Sequence, residues 1–345
     1  CALPISERAI TPDVMAGLQA RTREMGLWML DVPEEYGGAG LDLMSRCVID
    51  EQVGRTSLFH WHWYPLFGPA LRPVLLHCNE EQKQRFLWPV LRGEIRICFA
   101  QTEPDAGSDP ASMRTRAVRD GDDYVINGYK RYITAAGESQ YAQLMAATDP
   151  EKGSKGGITC FIVDLAAKGV TVTKSWPNIT GESLYEIALD NVRVPAANII
   201  GEVGQGFELG QKFLTEARIK SHGARSVGAA QRCLDMMVDY SQQRVTFGQP
   251  LSERQAIQFM IVESAMEIHM VRNLVGSLVY VGSGRCSAAW LGEVLASRER
   301  ARAAPTFAAS GLYLAEITYE SGWSLPAFPR IMPFLPPGTA TPSRA

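Results

Sequence analysis

The hydrophobic period changes twice along this chain, and that limits its fold more than any other feature. Up to Leu91 apolar residues fall three and four apart, as at Val14, Leu18 and Met25, which lays a stripe along a helix. Pro33 and the glycines at Gly37, Gly38 and Gly40 interrupt the stripe as a loop. From Ile95 the period becomes two: Ile95, Ile97 and Phe99 alternate with Arg96 and Cys98, which turns one face of a strand toward a core. Strands also read at 158–163, 170–173 and 184–194. Asn127-Gly128, between 124–126 and 129–134, predicts a hairpin closed by a type I′ turn, because both residues tolerate positive φ. After Gly206 the helical period returns through Phe213, Ala217, Ala224, Val227, Ala230, Leu234 and Met237, until Gly248-Gln249-Pro250 stops it. A second stripe follows through Ile257, Ile261, Ala265, Ile268, Val271, Val275 and Leu278.

Helices, then strands, then helices, without strand–helix alternation, exclude a doubly wound parallel sheet, and no Gly-x-Gly-x-x-Gly follows a strand. The expected class is α+β, with an N-terminal helical domain over 1–98, a middle β-barrel-like domain over 99–205 and a C-terminal helical bundle over 206–345. A chain of 345 residues, 46% of them hydrophobic, exceeds what one core usually serves, so two or three packed domains are expected. The net charge of -3 comes from 34 basic and 37 acidic residues mixed along the chain, which points to no nucleic-acid or membrane-surface partner. The most apolar stretch, 271–281, is broken by Arg272 and Asn273, so no membrane insertion is expected, and no secretory leader is read. The 7 cysteines form no Cys-x-x-Cys pair, which fits a reducing, cytoplasmic setting. The chain opens at Cys1, so its length is read as a lower bound.

The stretch Thr102-Glu103-Pro104-Asp105-Ala106-Gly107-Ser108-Asp109 follows the strand that ends at Ala100. Small residues let a ligand approach the backbone, and amides and hydroxyls can answer a phosphate or the polar edge of a flavin. The same composition also fits an ordinary turn with capping side chains. His60 and His62 flank Trp61, yet no carboxylate or cysteine stands at ligand spacing, so no metal is expected. Trp61, Trp63 and Tyr64 read either as core or as a bulky pocket wall.

The chain resembles the acyl-CoA dehydrogenase family, whose signature Ser/Thr-Glu-x-x-Gly/Ala-Gly-Ser/Thr-Asp is matched by Thr102, Glu103, Ala106, Gly107, Ser108 and Asp109. Residues 31–38, 127–134, 190–195 and 244–251 followed by Gln255 match further stretches in the family's order. The resemblance implies the family's fold and a flavoprotein oxidoreductase of fatty acid metabolism. Such an enzyme uses FAD to convert an acyl-CoA into a trans-2-enoyl-CoA and passes electrons to an electron-transfer flavoprotein or similar acceptor. It implies that Phe99, Gln101 and Thr102 lie along the flavin ring, that Gly107 and Ser108 approach its polar tail, and that Tyr132 and Thr134 pack near the reactive ring. Arg244, Phe247 and Gln255 match a turn that in relatives reaches the FAD of a neighbouring subunit, which implies a homodimer or homotetramer. A guanidinium suits a pyrophosphate through two parallel hydrogen bonds. Without the resemblance, Arg244 reads as a solvated helix-end cation and Tyr132 as a sheet-core aromatic. Two positions depart from the family: Gln101 replaces a usual aliphatic residue, and Tyr132 a usual tryptophan.

The family's catalytic carboxylate lies in a Tyr-Glu-Gly-Thr-like segment beyond a Gly-Gly-x-Gly turn, and neither is present in full. The nearest echo is Tyr319-Glu320-Ser321-Gly322, closer to Arg244 than the family's spacing, which makes Glu320 the candidate base. Some relatives carry the carboxylate on the first long helix, where Glu216 near Arg218 is slightly out of register and also reads as a solvated helix-face residue. From about residue 282 the sequence is atypical, and Pro326, Pro329, Pro333, Pro336, Pro337 and Pro342 preclude a long helix. Two rival readings stand beside dehydrogenation: a flavin monooxygenase on the same architecture, and a flavin-binding paralogue without dehydrogenase activity.

Overall fold

Thr11 starts the first helix by accepting a hydrogen bond from Val14 N–H, with Pro12 at a position where its missing donor costs nothing. The computed structural model describes residues 11–56, 66–69, 71–177, 183–297, 299 and 302, all within one unit spanning 1–307. That helix is α1 (Pro12–Glu24), and Asp42 caps the next, α2 (Leu43–Gly54), by accepting from Ser45 N–H at 2.7 Å. Asn79 and Gln82 form a reciprocal capping box at the start of a run made of α3 (Glu80–Gln82), a π-helical stretch (Lys83–Leu87) and α4 (Trp88–Leu91).

One mixed sheet follows: β1 (Ile97–Ala100), β2 (Arg116–Asp120), β3 (Asp123–Thr134), β4 (Tyr141–Ala147), β5 (Ile158–Asp164), β6 (Val170–Pro177) and β7 (Ser183–Pro195). β5 runs antiparallel along all of β4. β1 and β2 therefore share the other edge of β4, both parallel to it: Ala100 lies opposite Leu144, and Arg116 opposite Ala147. The chain advances only three positions along β4 while it passes through residues 101–115, so this segment must stand away from the sheet. The loop singled out in the sequence is thrown outward by the topology. From β2 the sheet continues through β3 and β7 to β6, and it stays open, since β5 and β6 pair with no further strand among the described residues.

Two expectations are corrected here. Asn127-Gly128 makes no turn: β3 runs straight through it, and the hairpin to β2 turns at Gly121-Asp122. The pair sits instead at a bulge against β7, where Asn127 Oδ1 accepts from Asn191 N–H at 2.8 Å. A Cβ at position 128 would lie 2.6 Å from Thr115 Cβ, so the glycine answers a close approach rather than a turn. β1, second, is covered on both faces rather than one. Cys98 and Ala100 join the core enclosed by the sheet, with Ile126, Leu144, Phe161 and Ile187, while Ile97 enters a second core with Leu75, Phe86, Leu87, Met145 and Ile162. That second core packs the helical run 73–91 and the start of the next helix, through Leu209, against the sheet.

The C-terminal region begins with α5 (Gly206–Ala217), a π-helical stretch (Arg218–Ala224) and α6 (Arg225–Gln243) as one continuous rod. A hairpin of β8 (Val245–Thr246) and β9 (Gln249–Pro250) leads to α7 (Gln255–Gly282) and α8 (Ala288–Ser297). Of the two predicted stripes, Ala224, Val227, Ile268 and Val275 are buried, but Met237, Val271 and Leu278 are exposed. α2 crosses α6 at Gly54 and Gly228, and ion pairs frame the crossing: Arg225–Asp50 at 2.6 Å, Arg272–Glu51 at 2.7 Å and Arg55–Asp235 at 2.6 Å.

Candidate active site

The outward loop is folded by Glu103. Its N–H donates to Ala106 C=O at 3.0 Å, and Ala106 N–H returns a bond at 3.3 Å, which closes the turn below Gly107 and Ser108. Its carboxylate points to the base of the loop, where Oε2 accepts from Arg114 N–H at 2.6 Å and Oε1 from Thr115 N–H at 3.0 Å. Oε1 also accepts from Lys130 Nζ at 2.7 Å, and Lys130 donates a second bond to Gln101 C=O at 3.0 Å. Arg131 N–H donates to Thr102 C=O at 2.9 Å. Lys130 is wholly buried, and burial pushes its amine down to about 8 against the pull of Glu103. Burial would raise the Glu103 carboxyl, but the Lys130 ammonium and the Thr115 and Arg114 donors outweigh it and hold it below the ordinary value. The two form an ion pair at neutral pH whose desolvation is offset by hydrogen bonds on both partners.

Gly107 and Ser108 are exposed, and with Gln101, Pro110, Gln211, Leu214 and Arg218 they line a cavity of about 270 Å³. The far wall is α5 and the first residue of its π-helical stretch, an irregularity often found where a helix serves a site. α5 comes close because of Gly210, whose added Cβ would lie 3.3 Å from Met145 Cε and 3.8 Å from Gln101 Oε1. A Cβ on Gly107 would meet nothing within 4 Å, so there is room for a ligand beside the backbone.

Phe99 is half-buried against the sheet–helix core, and Thr134 ends β3 opposite Leu184. Tyr132 has φ 59° and is 50% exposed, so it is no sheet-core aromatic. Arg131 lies 5.1 Å from its ring centroid and pairs with Glu186 at 3.1 Å. Left-handed backbone at an aromatic residue is strained and tends to occur at functional sites.

Arg244, Phe247 and Gln255 are held together elsewhere, around the β8–β9 hairpin. Phe247 and Gly248 both have positive φ, 51° and 78°, as a type I′ turn requires. Arg254 fixes the turn by donating to Thr246 C=O at 2.6 Å, with its guanidinium 5.6 Å from the Phe247 ring centroid. Arg244 and Gln255 are exposed, Phe247 is 98% exposed, and the Arg244 guanidinium has no hydrogen-bond or ion-pair partner among the described residues.

Glu320 lies outside the described residues, as do His60, Trp61, His62, Trp63 and Tyr64; Glu216 belongs to α5, with its side chain outside them. A larger opening of about 430 Å³, lined by Gln82, Arg119, Tyr124 and Glu202 among others, contains none of the predicted site residues. Among the described residues no helix is long and apolar enough to cross a membrane, and no cluster of His, Cys, Asp or Glu could hold a metal. Sequence reading passed over Gln211 and Leu214 of the cavity wall and gave Lys130 no role. A lysine at an inward position of a strand was the available signal for the last.

A seven-stranded sheet with helical regions before and after it in sequence, and an outward loop over a cavity, define the class: a three-part helical, β and helical scaffold. The comparisons make this specific. The acyl-CoA dehydrogenase N-terminal domain matches residues 5–94, the middle domain 98–192 and the C-terminal domain 204–288. A probable acyl-CoA dehydrogenase of Bacillus subtilis is 39% identical over 73% of this chain and 67% of its own length. A subunit of the caffeyl-CoA reductase–Etf complex of Acetobacterium woodii is 37% identical, over 73% and 67%. The structure of butyryl-CoA dehydrogenase from Megasphaera elsdenii superimposes with a TM-score of 0.67 at 30% identity, covering 81% of this chain and 73% of that one. The chain belongs to the acyl-CoA dehydrogenase family, a family of enzymes with a flavin cofactor.

Proposed function

We propose that this protein is an FAD-dependent acyl-CoA dehydrogenase that desaturates an acyl-CoA thioester to a trans-2-enoyl-CoA. The observation that carries the reading is the cavity under the 101–115 loop, lined by Gln101, Gly107, Ser108 and Arg218. The donor set suits FAD: open amide and hydroxyl groups at Gly107 and Ser108, and an unpaired, exposed guanidinium at Arg244 for a pyrophosphate. Phe99, Gln101 and Thr102 would line the ring, with Tyr132 and Thr134 beside its reactive part, and Arg244, Phe247 and Gln255 would serve the FAD of a second subunit. A bound flavin supplies the hydride acceptor, while the protein supplies placement. The α-proton is a weak acid, so donors must meet the thioester oxygen as negative charge develops there, and a carboxylate must take the proton. Glu320 is our first assignment for that base and Glu216 the second.

Exposed Phe259, Met260, Met266 and Met270 on α7 support a homodimer or homotetramer. The Acetobacterium relative, named as part of an Etf complex, supports an electron-transfer flavoprotein as acceptor. Cys47, Cys78, Cys98 and Cys160 are buried as free thiols, which supports a cytoplasmic setting. We keep the division at 98/99 and 205/206. Relatives named as dehydrogenases favour dehydrogenation over the monooxygenase and non-catalytic readings.

Anaerobic mixing with a panel of acyl-CoAs tests the reading, since a dehydrogenase loses its visible flavin absorbance without oxygen. Glu320→Gln should keep FAD and bind acyl-CoA, yet be reduced slower by orders of magnitude, because an amide cannot accept the proton. Wild-type-like reduction in that variant would move the base to Glu216. A colourless protein that FAD cannot reconstitute would overturn the whole proposal.

A further inference from the structure

The Glu103–Lys130 pair lines no part of the cavity, yet it holds both ends of the loop. Lys130 holds the loop's first residue through Gln101 C=O, and Glu103 holds its last two through Arg114 and Thr115 N–H. Both side chains meet on β3 two residues before Tyr132, so one carboxylate and one ammonium tie the entry and the exit of the loop to the strand that carries the aromatic. Only a carboxylate has enough acceptor positions for three donors from these directions. An ion pair is also a demanding choice at a buried place, because replacing such pairs by neutral groups often leaves stability unchanged. That makes stability alone a weak reason for its presence.

We infer that Glu103 and Lys130 are positioning residues that hold the 101–115 loop so that Gln101, Gly107 and Ser108 face the cavity in the arrangement the flavin requires. The inference rests on the flavin reading above. A purely structural pair would stabilise the protein without changing the loop; a positioning pair changes the loop and the cofactor's surroundings even when stability is kept.

The test compares the wild type with Lys130→Met and with the double variant Glu103→Gln/Lys130→Met, which leaves no buried charge unpaired. Three quantities are read: thermal unfolding, hydrogen exchange of amides 101–115 in FAD-free protein, and FAD affinity with the visible circular dichroism of the bound flavin. The double variant should melt within a few degrees of the wild type, exchange faster within 101–115 and not in the other strands, bind FAD tenfold or more weakly, and show an altered flavin dichroism. Exchange unchanged in the loop, or faster exchange with unchanged affinity and dichroism, would overturn the inference. So would global unfolding of the double variant, which would make the pair a fold-stabilising element. If the wild type itself binds no FAD, the proposed function fails, and the positioning role is then decided by the loop exchange alone.

Discussion

Substituting the same residue type at two helix positions should move stability in opposite directions. At Gly228 in α6 an added Cβ would lie 2.9 Å from Glu51 C and 3.1 Å from Arg55 N of α2, and well inside contact distance of the Glu51 carbonyl oxygen. These are backbone atoms that no rotamer change can move. The partner glycine repeats the constraint, since a Cβ on Gly54 would lie 2.8 Å from Arg225 C and Cα. To reach ordinary contact the helices must separate by at least about half an ångström, and further at the oxygen, which loosens Arg225–Asp50 and Arg272–Glu51 at the same crossing. Alanine gains about 1 kcal/mol over glycine in a helix. Overpacking typically costs about 1–3 kcal/mol, and disturbed buried ion pairs add to it. The net effect of Gly228→Ala should be a loss of roughly 1–3 kcal/mol, a fall of several degrees in Tm. Gly17 in α1 is the control: its Cβ would meet nothing within 4 Å, so Gly17→Ala should gain about 0.5–1 kcal/mol. Urea and thermal unfolding of both variants, followed by circular dichroism, measure the two effects. Gly228→Ala at or above wild-type stability would refute the close crossing.

Arg244→Ala should weaken FAD binding by tenfold or more in a fluorescence titration, as expected for a lost charge-assisted bond of about 1.5–3 kcal/mol, while unchanged affinity would remove Arg244 from the site. Burial pushes the thiols of Cys47, Cys78, Cys98 and Cys160 up to about 12, so native protein at pH 8 should be alkylated first at exposed Cys233, and fast labelling of any of the four would contradict their burial. Lys130 titrates at about 8 when folded against an ordinary value of 10.5, so between those values the unfolded chain holds the extra proton and this group's contribution to stability rises with pH. The unfolding free-energy gap between wild type and Lys130→Met should therefore widen from pH 8 to pH 10 and not narrow.

The order of helices, sheet and helices was legible because periods of 3.6 and 2 are written locally, and the loop after β1 because small polar residues cluster there. Asn127-Gly128 was misread because the local chemistry of a turn and of a bulge is the same. What decides between them is Asn191 on β7 and Thr115 beside the glycine, which sequence proximity does not reveal. Phe247-Gly248 carries the opposite lesson, a type I′ turn hidden by an aromatic residue that seldom takes φ 51°. Lys130 lies within the 127–134 match with no partner legible nearby, because Glu103 lies 27 positions earlier and the pairing of β1, β2 and β3 through the sheet brings them together. The π-helical start at Arg218 leaves no mark in the hydrophobic pattern.

Among the described residues the cavity lining contains a cation, Arg218, two amide side chains and a hydroxyl, and no carboxylate. Such a lining can hold an anionic or strongly polarised ligand and can stabilise charge developing on an oxygen, yet it cannot take a proton from carbon at neutral pH. Glu103, the nearest candidate in sequence, is already committed: its oxygens are occupied by Lys130, Arg114 and Thr115, and its pKa lies below the ordinary value, which makes it a poor base. The base of a dehydrogenase built on this site must therefore be a group other than these, and both of our assignments, Glu320 and Glu216 of α5, meet that condition. Because the base is none of these groups, the two functions should separate in variants: changes in the loop or the Arg244 hairpin act on FAD binding, whereas a change at the base leaves binding intact and removes reduction.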